Sequence, residues 1–251
     1  MKESLNTSKT IYFNDFVMVR VDKTLKEMME EKPYSRFDVF HWHPMFDFLN
    51  PIFKKWKAKS LIEIEGEDVI IAGDHVRPSR NESKGYDLRT RIEYYETKGF
   101  LETGYDYSEI KECSENAYER LKRTAVKQYD ILLSNAGVAG VGKARSCLIT
   151  HNPAKRSCTG DVFTIRLKNI NPFYFYCFLK SKIGRVQILQ IKSGVGTENI
   201  NAEETLSMVI PFIPDPVQSH IETEYKKMAV YHNKAMAAKA KGNEAGYRKN
   251  I

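Results

Sequence analysis

The stretch that decides the fold is residues 129–150, YDILLSNAGVAGVGKARSCLIT. It opens on an apolar run from Asp130 to Leu133 that reads as a strand and closes on a second, Cys147 to Thr150. Between them Gly137, Gly142 and Lys143 stand at the spacing G-x-x-x-x-G-K, which cradles nucleotide phosphates when a strand precedes it, a helix follows it, and Ser or Thr stands next to the Lys. Here Ala144 follows Lys143, and ARSCLITHNP carries β-branched residues and an early proline where that helix would run. Glycines that tolerate positive φ therefore predict a tight reversal between two strands. A nucleotide-binding enzyme working through Gly137–Lys143 is the remote alternative.

Working outward, HNPAKRS (151–157) reads as a turn and DVFTIRL (161–167) as a third strand, which gives a mostly antiparallel sheet. NPFYFYCFLKSKIG then switches to helical spacing, with Pro172 near the start and a stop near Gly184. Upstream, LIEIEGEDVII reads as a bent strand or strand pair around Gly66, with Glu63, Glu65 and Glu67 on a solvated edge. Residues 84–112 are short, aromatic and β-like. Residues 10–21 read as a strand or arm, 22–32 as a helix capped by Asp22, and 35–59 as an aromatic packed connector.

At the other end, IPFIPDP forms a stiff linker. Beyond it Val217, Ile221, Tyr225, Met228, His232 and Ala235 recur at alternating four- and three-residue steps. Such a stripe demands a partner, either its own domain or another helix. The fold class is α+β: a mixed, largely antiparallel sheet domain with packed helices, followed by a C-terminal amphipathic spacer helix. The expected boundaries are 1–34 for an N-terminal arm and helix, 35–215 for the main domain and 216–251 for the spacer.

Composition narrows the function. The 251 residues are 42% hydrophobic and 28% charged, ordinary globular values. No apolar run suits a membrane span or a signal peptide, so a cytoplasmic protein without membrane partners is expected. The four cysteines form no C-x-x-C pair; Cys147, His151 and Cys158 lack a convincing fourth metal ligand, and Cys177 reads as core. His41, Trp42 and His43 read as packing between prolines. No ordered triad, H-E-x-x-H or acid–base pair is present, so no catalytic residue, metal or cofactor is assigned.

The net charge of +7 favours a polyanionic partner. Basic and hydrogen-bonding residues gather in four loops: RPSRNESKGYDLRTR, GKARS, HNPAKRS and KSGVGTENIN. Arg and Lys reach guanine edges or phosphates and Asn pairs with adenine, so these loops suit duplex DNA. The candidate DNA-binding residues are Arg77, Arg80, Arg89, Arg91, Lys143, Arg145, Lys155, Arg156, Lys192, Thr197 and Asn199.

Four stretches, in this order, resemble the specificity subunits of type I restriction-modification enzymes. SRFDVFHWHPMFDFL is similar to an "R-[LF]-D, aromatic pair, x-P, helix" entry. YDILLSNAGVAGVGKA resembles a "G-D-I-L-[LI]-S, glycine turn, strand" hairpin, with Tyr129 replacing the usual Gly. PFYFYCFLKSKIGRVQI resembles the family's aromatic helix, and SGVGTENINAEETLSMVIPFIPDPVQSHIE its entry into the spacer, here with Gln218 and Ile221. Members resemble a duplicated unit, whereas this chain holds one domain and one helix and looks like a half subunit.

The resemblance implies a non-catalytic target recognition domain that grips double-stranded DNA and reads half of a bipartite target. It also implies docking of DNA methyltransferase subunits and of a restriction and motor subunit. A homodimer joined through the C-terminal helices would read a palindromic, interrupted target. A stand-alone DNA-binding protein derived from that family is the alternative.

Overall fold

The computed structural model describes residues 10–13, 16–19, 46–72, 92–137, 143–152, 155–194 and 198–248. The chain divides into two compact units, Met1–Ala58 and Lys59–Ile251. In the first, β1 (Thr10–Phe13) and β2 (Phe16–Val19) pair antiparallel, with Thr10 opposite Val19 and Phe13 opposite Phe16. The stretch expected to be one strand or arm is thus folded back on itself. The expected helix at 22–32 and the FHWHP segment lie outside the described residues. Helix α1 (Leu49–Lys55) has Pro51 in its first turn, where the missing N–H costs no helical bond.

The second unit runs β3 (Lys59–Ser60), α2 (Leu61–Glu65), β4 (Ile70–Ala72), β5 (Ile92–Tyr95), β6 (Phe100–Leu101), β7 (Gly104–Tyr105), β8 (Lys111–Glu112), α3 (Glu115–Arg120) and β9 (Ile131–Ser134). It continues through β10 (Ser146–Leu148), β11 (Lys155–Cys158), β12 (Val162–Ile165), α4 (Pro172–Lys180), α5 (Lys182–Ile191), α6 (Ala202–Leu206), β13 (Val209–Ile210) and α7 (Asp215–Arg248). The architecture is α+β. A four-stranded sheet of order β10-β9-β12-β4 is antiparallel throughout, and a three-stranded sheet has order β11-β5-β8.

Two local expectations are overturned. LIEIE is a helix, because Ser60 and Glu63 form a reciprocal capping box: the Ser60 hydroxyl accepts from Glu63 N, and the Glu63 carboxylate accepts from Ser60 N at 2.7 Å. Hydrogen bonding to Ser60 also lowers the Glu63 pKa. Glu65 consequently leaves the solvated edge. It is 7% exposed and accepts the backbone N–H groups of Lys168 at 2.7 Å, Asn169 at 2.9 Å and Ile170 at 2.6 Å. The second correction concerns HNPAKRS. Its last three residues, with Cys158, form β11, which pairs parallel to β5 with Lys155 opposite Ile92 and Cys158 opposite Tyr95.

Strand β9 is buried at every residue because both faces of its sheet are covered. Ile131 and Leu133 pack with Phe163, Ile165, Leu148 and the aromatic residues of α4. Leu132, pointing the other way by the two-residue period of a strand, packs with Tyr95, Phe100, Tyr105 and Val162. Beside it Asp130 is 3% exposed as a side chain and takes a two-pronged grip from Arg166, Nε to Oδ1 at 3.0 Å and Nη2 to Oδ2 at 2.7 Å.

Tyr129, which stands where the resembled motif has Gly, adopts φ +69°, and its ring lies 5.2 Å from that of Phe173. Asn171 caps α4 by accepting from Phe173 N at 2.9 Å. The helix ends at Lys180, before Gly184, since Ser181 caps a second helix, α5, which contains Gly184 in its first turn. Glycine is needed there because a Cβ would overlap the Phe178 carbonyl and the Leu179 backbone. Cys177 is half-buried against the core.

The spacer helix α7 has 34 residues, about 50 Å at 1.5 Å per residue. The central part of its stripe, from Ile221 to His232, is covered by its own domain. The Tyr225 ring lies 5.6 Å from those of both Phe173 and Tyr176, edge-on to the latter, and its hydroxyl donates to Thr103 O at 3.2 Å. His232 bonds Thr103 Oγ1 at 2.9 Å and donates from Nε2 to Tyr105 O at 3.0 Å. Asn233 accepts from Tyr107 Oη at 2.9 Å, and Lys239 pairs with Asp106 at 2.5 Å. Gly104, at φ +151°, makes the close approach possible: a Cβ there would lie 2.6 Å from His232 Nε2. As helix-pairing positions, Tyr225 and His232 are therefore corrected to intradomain contacts. Ile221 and Met228 are partly buried against the same core. Val217 and Ala235 stay exposed.

Candidate nucleic-acid interface

The reversal expected from residues 129–150 is present: β9 and β10 pair antiparallel with Leu133 opposite Ser146 and Ile131 opposite Leu148. A strand, β10, therefore follows Lys143 where a phosphate loop requires a helix N-terminus. Gly137 takes φ +85° as the glycine pattern predicts; Gly142 lies outside the described residues. At the closing side Ala144 takes φ +47° while 6% exposed, so a buried alanine accepts a backbone conformation that glycine adopts more easily.

What holds this tip is a second loop. Gly137 N donates to Glu198 O at 2.7 Å, Ile200 N to Asn135 O at 3.0 Å, and Ala136 bridges Asn199. Ser193 and Asn199 exchange backbone bonds of 2.7 and 2.8 Å, which closes the 193–199 loop on itself. A third turn joins them, as Asn135 N donates to Asp161 O at 3.1 Å and Asn135 Nδ2 to Gly160 O at 3.2 Å. Asn135 ties the three turns together. No composition rule marks it in advance, since its work is done through partners 25 residues and more along the chain.

The tip thus brings together Lys143, Arg145, Lys192 and Asn199. Lys143 is exposed and Arg145 half-buried, and neither side chain has an acidic partner among the described residues. Lys192 is paired with Glu198 at 2.5 Å. The base of the hairpin is held by Lys180, whose Nζ donates to Ser146 O at 2.9 Å while lying 5.2 Å from the Tyr176 ring centroid. Burial lowers the Lys180 pKa.

Lys155 and Arg156 are elsewhere. They open β11, which belongs to the three-stranded sheet beside β5 and not to the sheet that carries the hairpin. Lys155 pairs with Glu115 and sits 5.5 Å from the Tyr118 ring. Arg156, expected to contact DNA, is corrected to an interior residue. It is 2% exposed and spends its guanidinium on Val126 O at 2.8 Å, His151 O at 2.8 Å and Asn152 Oδ1 at 3.0 Å. Arg77, Arg80, Arg89, Arg91 and Thr197 lie outside the described residues.

The three residues weighed as a metal set are also dispersed into other roles. Cys147 and Cys158 are fully buried thiols whose pKa burial pushes up, to about 11 for Cys158. His151 Nε2 is 2.8 Å from Tyr95 Oη and 3.1 Å from Glu93. Among the described residues no three His, Cys, Asp or Glu side chains converge as a metal site, and no helix is long and apolar enough to cross a membrane.

No family model matches the chain, and no curated protein matches it. Solved structures do. In a structure concerned with complex assembly and conformational transition of the type I R-M system, 42% of one chain matches 76% of this one, with TM-score 0.44 and 13% identity. The type IIG restriction endonuclease BpuSI matches 84% of this chain over 31% of its own length, with TM-score 0.51 and 8% identity. The chain spans less than half the length of either. The second likeness, at 8% identity, is one of fold.

Proposed function

We propose that this chain is a DNA-reading specificity subunit of a restriction-modification system, itself without catalytic residues, recognising one half of a bipartite target. The observation that carries the reading is the tip: three turns tied by Asn135, with Lys143 and Arg145 unpaired among the described residues. Its support comes from the fold shared with a type IIG restriction endonuclease. Lys143 and Arg145 reach phosphates or guanine edges, and Lys192 and Asn199 stand beside them. Arg77, Arg80, Arg89, Arg91 and Thr197 contribute from segments of the same basic, polar character.

Methyltransferase subunits would supply the adenine chemistry, and a restriction and motor subunit would join for cleavage. A symmetric pair of copies would use the outer face of α7, where Val230 and Tyr231 are exposed. It would read a palindromic, interrupted target.

The test is sequencing of methylated adenines in cells that express the methylation subunits with and without this chain. A new interrupted motif is expected, and an unchanged methylome overturns the reading. In direct binding, Lys143→Ala combined with Arg145→Ala lowers duplex affinity tenfold or more, from about 1–3 kcal/mol per good contact. Unchanged affinity removes the tip from the interface.

A further inference from the structure

The first unit carries a basic cluster that the tip does not explain. Helix α1 ends in Lys54 and Lys55, Trp56 caps it, and Lys57 follows. The three lysines are exposed and Trp56 is 50% exposed; among the described residues none of these ammonium groups has an acidic partner.

The helix end is a complete Schellman motif. Ala58 N donates to Phe53 O at 3.0 Å and Lys57 N to Lys54 O at 3.4 Å. Such a motif needs a left-handed residue after the cap, and Lys57 takes it at φ +46°. Glycine fills that position at least cost, because a Cβ crowds the backbone there. The attraction of cations to a helix C-terminus accounts for Lys54 and Lys55. It does not account for a lysine in place of glycine in the left-handed position. Backbone strain held at one residue, in the middle of like charges with no acidic partner among the described residues and beside a half-exposed indole, marks a side chain retained for what it touches.

We propose that Lys54, Lys55 and Lys57 form a phosphate-backbone grip on duplex DNA, separate in sequence from the tip and indifferent to base sequence. The proposal rests on the DNA-binding reading given above. Three ammonium groups around one helix end suit a run of backbone phosphates and release counterions on binding. The cluster therefore contributes affinity and salt dependence, and the tip contributes discrimination. Trp56 sits among the lysines as a reporter, and the protein has one other tryptophan, Trp42.

The test measures anisotropy of a labelled mixed-sequence duplex of about 30 base pairs across a salt series, where each phosphate contact adds about 0.9 to the slope. The proteins are the full chain, the Lys54→Gln/Lys55→Gln/Lys57→Gln triple variant, and Lys57→Gly. The triple variant is expected to shorten the log–log slope by about 2–3. Lys57→Gly is expected to raise the melting temperature while lowering the slope by about 1, a pairing that a merely solvated lysine does not produce. In Trp42→Phe, duplex addition changes the remaining fluorescence saturably.

If the full chain binds the duplex and the triple variant keeps the same slope, the grip is overturned and the tip reading stands. A full chain that binds no duplex overturns both. Loss of binding to phosphatidylserine vesicles in the triple variant, with duplex binding unaltered, assigns the cluster to a membrane surface and also overturns the proposal.

Discussion

His232 is where the docking of the spacer helix is most open to test. Its ring is 8% exposed, bonded to Thr103 Oγ1 at 2.9 Å and to Tyr105 O at 3.0 Å. Tyr105 is itself 2% exposed, so truncation to alanine leaves a carbonyl without water or partner, at about 1–3 kcal/mol. Lost packing of the ring brings the expected cost of His232→Ala to about 2–4 kcal/mol.

A second arm uses protons. Burial lowers the His232 pKa from 6.5; the Tyr105 carbonyl and Asp106 act against that shift and His151 adds to it. Because the folded value is the depressed one, the unfolded chain takes up the proton first. The contribution is intact above the unfolded value and is lost as pH falls through it toward the folded value. Between about pH 7.5 and pH 5.5 the loss is at most about 1.4 kcal/mol, the bound set by an unfolded pKa of about 6.5. Urea unfolding at both pH values, on the full chain and on His232→Gln, measures this as a difference that cancels every other titrating group. A His232→Ala cost below about 0.5 kcal/mol, or equal acid losses in the full chain and His232→Gln, refutes the account of the docked helix.

Two further outcomes follow from buried polar groups. Glu65→Ala strands three backbone N–H donors at Lys168, Asn169 and Ile170 and should lower stability by about 3 kcal/mol, read as the urea midpoint at constant slope. Arg156→Met deprives Val126 O, His151 O and Asn152 Oδ1 of their donor. It should cost about 2–4 kcal/mol of stability and leave the salt slope of DNA binding unchanged, since the guanidinium does not reach solvent. A stable Arg156→Met variant with a shallower salt slope would restore it to the interface.

What sequence alone determined was local. Alternation and glycines placed the β9–β10 reversal, Pro172 placed the start of α4, and heptad steps placed α7, because each depends on neighbours within a turn or two of chain. The capping box over α2 was equally local: Ser60 and Glu63 stand three apart, and alternation of apolar residues merely obscured it.

Tertiary structure decided what periodicity leaves open, namely what covers a face and which polar group meets which. Strand β11 exists because β5, 63 residues upstream at Ile92, offers it a parallel edge. Arg156 and Glu65 look like surface charges in sequence. They are interior because backbone groups 30 and 103 residues away supply their bonds. The spacer stripe was legible as an apolar face in need of cover. Only the approach of Gly104 and Thr103 shows that its own domain covers the central turns of the helix, with Val217 and Ala235 left in solvent.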